Sequence, residues 1–422
     1  MGFGQGLSGL RAQAQKLDVI GNNIANSSTV GFKSSSISFS DVYASSRVGL
    51  GTSVAAVNQN FGVGIVSNTG GQFDIAIDGA AGFFRMQDAS GSVFFTRNGE
   101  FGPNKEGYLT NNQGQFLTGF IKDAETGLYG LNPEPIRIPT GNIAARATGA
   151  ISGPDAGVMA RRMNLDADAI VPTVTPLDPL NPDSYNTSVP MTVYDSLGRE
   201  HQLTQYFVKT GDNAWDVHYQ LNSDTSAIVT RSITFTTGGE IATGASGLSI
   251  AFDPAQRTDP LDPASPLAFP TLAGADALSI PLNYSIATQF GGGHNLEFQQ
   301  DGYGTGEYTS MSISQDGTIV ANYTNGEMAE VGYIVLANFA NLQGLQPVGG
   351  NAWAQTAASG EAILGRPGQN GMSMVKGQAL EESNVDMGTE LVNMIISQRA
   401  YQANAQTITT QSEILQTLIN IR

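Results

Sequence analysis

The chain has 422 residues, with 20 basic against 37 acidic side chains for a net charge of −17, and it has no cysteine. Without cysteine there is no disulfide framework, thiol nucleophile or thiolate metal centre, and the acidic balance argues against a protein that tracks nucleic-acid phosphates. No run approaches the roughly 18 continuous apolar residues of a membrane span.

The N-terminal stretch MGFGQGLSGLRAQAQKL lacks the basic-then-apolar order of a cleaved signal peptide and reads as a helix. Phe3, Leu7, Leu10, Ala14, Leu17, Gly21 and Ile24 recur at 4-3 spacing, the repeat that keeps one seam on one side of a supercoiled helix. Residues 28–70 are rich in Gly and Ser and read as an irregular connector.

From about residue 71 the period changes to two. Phe73, Ile75 and Ile77 alternate, as do Val93 and Phe95, with turns at Ala89–Ser90–Gly91 and Asn112–Gln113–Gly114. The centre is marked by proline and charge. Fifteen of the 18 prolines lie between Pro133 and Pro281, and residues 147–299 hold 16 acidic and 6 basic residues, a net of −10. Strand patterns continue there through MTVYDS, HQLTQYFVKT and WDVHYQL, the last two joined across Thr210–Gly211–Asp212–Asn213 as a hairpin. After residue 300 come YTSMSIS, DGTIVANY and VGYIVLANF, then a second irregular connector at 363–384.

The C-terminal segment is again helical and close to neutral. Leu391, Met394, Gln398, Tyr401, Ala405, Ile408, Ser412, Leu415 and Ile419 follow 3-4 spacing, with Asp386 as N-cap and Glu390 at the positive end of the helix dipole. Val392, Ile395, Ile396, Ile414 and Leu418 broaden the apolar stripe beyond a two-helix seam. The remaining faces are polar but uncharged, which suits a helix with neighbours or a confined channel on its other side. A helical hairpin within one chain fits the same pattern.

Motifs that would carry chemistry are weak. Gly4, Gly6 and Gly9 spell GxGxxG, but no strand precedes them. His201, His218 and His294 are scattered through the acidic centre, where packing or surface roles fit better than a metal site. The sequence therefore implies no catalytic residues, cofactor or metal.

Three segments are far more specific. LDVIGNNIANSSTVGFK at 17–33 resembles the signature of the bacterial flagellar axial proteins, the rod, hook and hook-associated family. Its signature positions here are Gly21, Asn22, Asn23, Asn26, Gly31 and Phe32. SNVDMGTELVNMIISQRAYQANAQTI at 383–408 resembles that family's C-terminal hallmark, and residues 74–119 resemble the β-motif its rods and hooks share. The insertion at 147–299 and the run VPMTVYDSLGREHQLTQYFVKTG point to the hook branch.

The expected fold class is mixed: α-helical, coiled-coil-like termini plus two nested antiparallel β domains. The expected segments are 1–27 and 385–422 as terminal helices forming an inner tube, 28–70 and 363–384 as irregular connectors, 71–146 and 300–362 as an inner β domain, and 147–299 as an outer β domain inserted in it. The candidate subunit interface is Phe3, Leu7, Leu10, Leu17, Ile24, Leu391, Met394, Ile395, Tyr401, Ile408, Leu415 and Ile419. The resemblance implies an exported, extracellular flagellar subunit that polymerises with itself into a helical tube. It also implies cap, distal rod and junction proteins and the export apparatus as partners. Two alternatives remain at this point: a distal rod subunit of the same family, and a secreted β-rich carbohydrate-active enzyme or adhesin.

Overall fold

The computed structural model describes residues 3–43, 49–123, 127–151, 153, 156–224, 228–252, 272 and 274–420. Among these, the only α-helices are α1 (Phe3–Ala25) and α2 (Met387–Asn420), and nearly everything between them is strand and turn.

One local rule builds much of the β structure. Seven hairpin turns share a single wiring, starting at Asp88, Asn104, Asn111, Asp195, Thr236, Ser314 and Tyr323. In each, the N–H of a glycine three residues on bonds the first residue's carbonyl, and the first residue's N–H bonds the carbonyl four residues on. The glycines, Gly91, Gly107, Gly114, Gly198, Gly239, Gly317 and Gly326, all have φ between 76° and 91°. This is a type I turn closed by a left-handed residue, so glycine is the natural occupant. At Asp88, Asn104, Asn111 and Asp195 the side-chain oxygen also accepts two backbone N–H groups of its own loop.

The chain divides into two compact units. The first comprises residues 1–140, 309–322 and 328–422, and the second comprises 141–308 with 323–327. The expected boundaries at 147 and 299 therefore fall inside the second unit. The terminal helices fall in the first unit, where α1 is tied to residues 35–59, as described below.

In the first unit the strands run in the order Tyr308–Ile313, Thr318–Tyr323, Met328–Ile334, Phe116–Ile121, Phe83–Gln87, Val93–Thr96, Ala352–Ala354 and Gln346–Gly349. Phe61, Phe83, Phe95, Phe339, Leu345 and Trp353 form an aromatic core with edge-to-face contacts. The Ile75–Asp78 strand was expected to alternate between inside and outside. Instead Ile75, Ala76 and Ile77 are all fully buried, because the strand is covered on both faces.

The two connectors are not irregular. Residues Ser35–Tyr43 (β1) and Gly49–Gln59 (β2) form an antiparallel ribbon, with Ser35 opposite Gln59 and Ile37 opposite Val57. Val66–Asn68 pairs with Ala379–Glu381, and Met374–Gly377 pairs with Ile75–Asp78. The Ser-rich wording hid the ribbon because no described residue of β1 or β2 is buried, so no apolar alternation is required.

The second unit packs two five-stranded sheets around one core that includes Trp215, Tyr219, Tyr284, Phe207 and Phe252. One sheet is an antiparallel meander from Thr187–Tyr194 to Ile241–Thr243. Its predicted hairpin is present, with the turn narrowed to Asp212–Asn213 and Asn213 at φ 58°. The other sheet departs from the expected antiparallel class. Val158–Asp166 runs parallel to Leu278–Asn283 and to Thr288–Phe290, while pairing antiparallel with Asn295–Gln300. The long connection from 166 to 278 permits such parallel neighbours, which a tight hairpin cannot make.

Candidate functional site

Two helices with an unusual division of faces form the candidate site. α1 and α2 pack antiparallel: Asn23 reaches Glu390 near the start of α2, and Gly6 lies against Ile408. The approach is close because α1 presents glycine. A Cβ on Gly6 would sit 3.1 Å from Ile408 Cγ1, and one on Gly9 would sit 2.9 Å from Asn404 Oδ1. The GxGxxG wording thus reflects helix packing at Gly6 and Gly9, while Gly4 faces open space. α1 is also tied to the ribbon, since Gln5 Nε2 donates to Gly49 O and Thr52 N–H donates to Ser8 Oγ.

The row of α2 covered by α1 runs Met394, Ser397, Tyr401, Asn404, Ile408 and Gln411. That is a seven-residue repeat, but its alternate members are Ser, Asn and Gln. The expected seam agrees at Met394, Tyr401, Ala405 and Ile408, which are half-buried, and departs at Leu391, Gln398, Ser412 and Leu415, which are exposed. Leu391 and Leu415, placed in the seam by their spacing, are 46% and 51% exposed, and Ile395, expected to widen the stripe beyond that seam, is 51% exposed. Leu391, Val392, Ile395 and Ile396, with Ile414 about five turns further along the same face, make a ridge of large apolar side chains on α2 that nothing in the described chain covers, while Met387 and Leu415 extend the α1-facing row by seven-residue steps at its two ends. On α1, Leu7, Leu10, Leu17 and Ile24 are half-buried and Phe3 is 50% exposed. The side chain of Ile419 lies outside the described residues, as does that of Leu418.

Asp386 caps α2 as expected. Its carboxylate accepts the Gly388 N–H at 3.0 Å and the Thr389 hydroxyl at 2.6 Å. These bonds, led by that of Thr389, hold its pKa below the ordinary carboxylate value.

The signature residues form the junction at the other end of the helix pair. Asn23 is buried, its amide donating to Ser35 O and Glu390 Oε1 while its oxygen accepts the Ser35 N–H. It therefore ties α1, β1 and α2 together. Asn26 Nδ2 donates to the Asn22 carbonyl and side-chain oxygens, closing the helix end. Gly31, at φ 69°, leaves no room for a side chain, since a Cβ would lie 2.5 Å from Asn98 N. Phe32 O accepts the Asn384 N–H, and Gly21 is half-buried with no close neighbour at its Cβ position.

The three histidines do not converge. His201 bonds Asp195 and Asn222 through its two ring nitrogens, His218 bonds Thr230, and His294 bonds the Asp166 N–H. Burial lowers the pKa of both His218 and His294. Among the described residues no cluster of acidic and histidine side chains could hold a metal ion, and no helix is long and apolar enough to cross a membrane. Sequence reasoning missed Ser397 and Asn404 in the helix seam, and it missed the buried charges at Lys33, Arg97 and Glu381, all with side chains of zero exposure.

Comparison with known proteins gives a consistent result. Four family models match: flagella basal body rod protein at 5–33, flagellar hook protein FlgE/F/G D1 domain at 76–153, flagellar basal body protein FlaE D2 domain at 164–303, and flagellar basal body rod FlgEFG protein C-terminal at 376–421. The chain is 43% identical over 426 residues to the flagellar hook protein FlgE of Escherichia coli (strain K12), covering 100% of both. It is 43% identical over 430 residues to that of Salmonella typhimurium, again covering 100% of both. Against the flagellar hook protein FlgE of Brucella suis the identity is 31% over 424 residues, covering 99% of this chain and 98% of the relative. The fold is similar to the crystal structure of Helicobacter pylori flagellar hook protein FlgE2, with a TM-score of 0.50 at 14% identity, covering 75% of this chain and 100% of that one.

Proposed function

The chain belongs to the flagellar hook protein family over its whole length, and from that premise we propose how it serves the hook. It is a structural subunit of the bacterial flagellar hook. The paired helices of many copies line a hollow inner tube, and the uncovered ridge of α2 is the surface on which neighbouring copies dock. The observation that carries this reading is the ridge itself, in which Leu391, Val392, Ile395, Ile396 and Ile414 stay about half exposed. Each fully buried side chain of this kind contributes roughly 1.5–3 kcal/mol, so completing five half-buried ones supplies about 5 kcal/mol toward association. A contact between unlike surfaces that does not close on itself propagates as a helical polymer.

The assembled tube is curved and bends as it turns, passing motor torque to the filament as a universal joint. The β1–β2 ribbon suits the compliant role because it has no buried residue of its own among those described. The role is structural and not enzymatic. The subunit is exported and assembles outside the cell, meeting cap, distal rod and junction proteins. A rod-type reading would make the tube straight and rigid, and full-length identity to hook proteins favours the hook. Electron microscopy of the concentrated chain decides between them: curved hollow tubes are expected, and straight tubes or no polymer would overturn the proposal.

A further inference from the structure

Lys33, Arg97 and Glu381 sit together with no exposed side-chain surface, two cations against one anion. The Glu381 carboxylate accepts Lys33 Nζ at 2.5 Å, the Gly64 N–H at 2.9 Å and Arg97 Nη1 at 3.2 Å. Lys33 Nζ also donates to Gly62 O, and Arg97 donates to Gly79 O and Ala80 O with its guanidinium over the Phe83 ring. Arg97 Nε has no hydrogen-bond partner among the described residues. Burial pulls the pKa of both cations down, against the opposing pull of Glu381.

The three residues come from three stretches of chain. Lys33 follows the end of α1 at Ala25, Glu381 precedes the start of α2 at Met387, and Arg97 follows the strand Val93–Thr96. The backbone repeats the connection, since the Glu381 carbonyl accepts the Gly31 N–H at 2.8 Å and Glu381 lies opposite Val66 in a strand pair.

We infer that Glu381 is an ionic latch that makes docking of the two helix roots, residues 26–34 and 378–386, mutually dependent. When the α2 root leaves, it takes the one anion with it and strands two buried cations, a state that drives the α1 root out as well. By linkage the α1 root supports the α2 root to the same extent. The latch marks where fraying of the terminal helices stops in an unassembled chain. The charge imbalance makes the individual side chains unequal: losing Lys33 leaves a matched pair, whereas losing the Glu381 charge leaves two like charges in a dry site.

Hydrogen exchange read by mass spectrometry on the dilute full-length chain tests this. Glu381→Gln, nearly isosteric but uncharged, should speed exchange at both roots by at least about 100-fold, with Phe83–Gln87 and Phe116–Ile121 keeping their rates. Lys33→Met should change either root by less than about 10-fold, and Glu381→Asp, which keeps the charge and shortens the side chain, should be milder than Glu381→Gln. The latch is overturned if Glu381→Gln affects residues 378–386 alone, or unfolds the sheet with the roots. It is equally overturned if Lys33→Met is as damaging as Glu381→Gln, or if Glu381→Asp is the more damaging of the two acid-site variants.

Discussion

Replacing Ile395 with Asp should leave the folded chain intact while blocking its polymerisation. Ile395 is 51% exposed on the outward face of α2, so in the single chain the new carboxylate remains in water. Arg399 stands one turn further along the helix, an i,i+4 spacing that offsets part of the lower helix propensity of Asp, a cost of about 0.5 kcal/mol. In the polymer the balance differs. Completing the burial of the isoleucine is worth about 1 kcal/mol, and dehydrating an unpaired carboxylate in its place costs at least about 2 kcal/mol more. A difference of about 3 kcal/mol per contact corresponds to about 100-fold in critical concentration. Sedimentation of polymer against total protein measures that concentration, with thermal unfolding and far-UV circular dichroism as controls for the single chain. A variant that assembles within about threefold of the parent concentration would refute the assignment of this face.

Leu415→Asp, seven residues beyond Ile408 in the α1-facing row and 51% exposed, should also raise the critical concentration with the β units unaffected by thermal scan; tubes at the parent concentration would remove that end of α2 from the contact. Gly9→Val should push α1 away from Asn404, weakening the helix pair by about 1–3 kcal/mol. Faster amide exchange along both helices would show it, and unchanged rates would contradict the close approach. Asp386 has a folded pKa below its ordinary 3.8, so its capping contribution is complete above that value and is lost as pH falls through the folded one. Exchange in the first turn of α2 should therefore quicken below about pH 4, and Asp386→Asn should flatten that dependence.

The features that sequence made legible are those with local causes. Asp386 and the 3-4 spacing after it mark the start and extent of α2, and the recurring glycine three residues after a turn's first residue marks hairpins such as Asp88–Gly91 and Asn111–Gly114. The interface was only partly legible because hydropathy was used to choose the seam. Polar Ser397, Asn404 and Gln411 share the α1-facing row, with Asn404 packed directly on Gly9, while Leu391 and Ile395 lie on the outer face. The ribbon Ser35–Gln59 was hidden for the opposite reason, since a strand pair without buried residues leaves no period-two signal. Lys33 and Glu381, 348 positions apart, carry no local mark of their pairing. Only the fold brings the two chain ends to one buried point.

Assembly as proposed depends above all on α2 presenting its apolar ridge to other copies. Because the chain has no cysteine, Ile396→Cys introduces a single thiol on that ridge, at a position 56% exposed. Maleimide labelling of this variant, as single chain and as polymer, reads the burial directly. Rapid labelling of the single chain and strong protection in the tube are expected, and equal rates in the two states would rule out docking on this ridge.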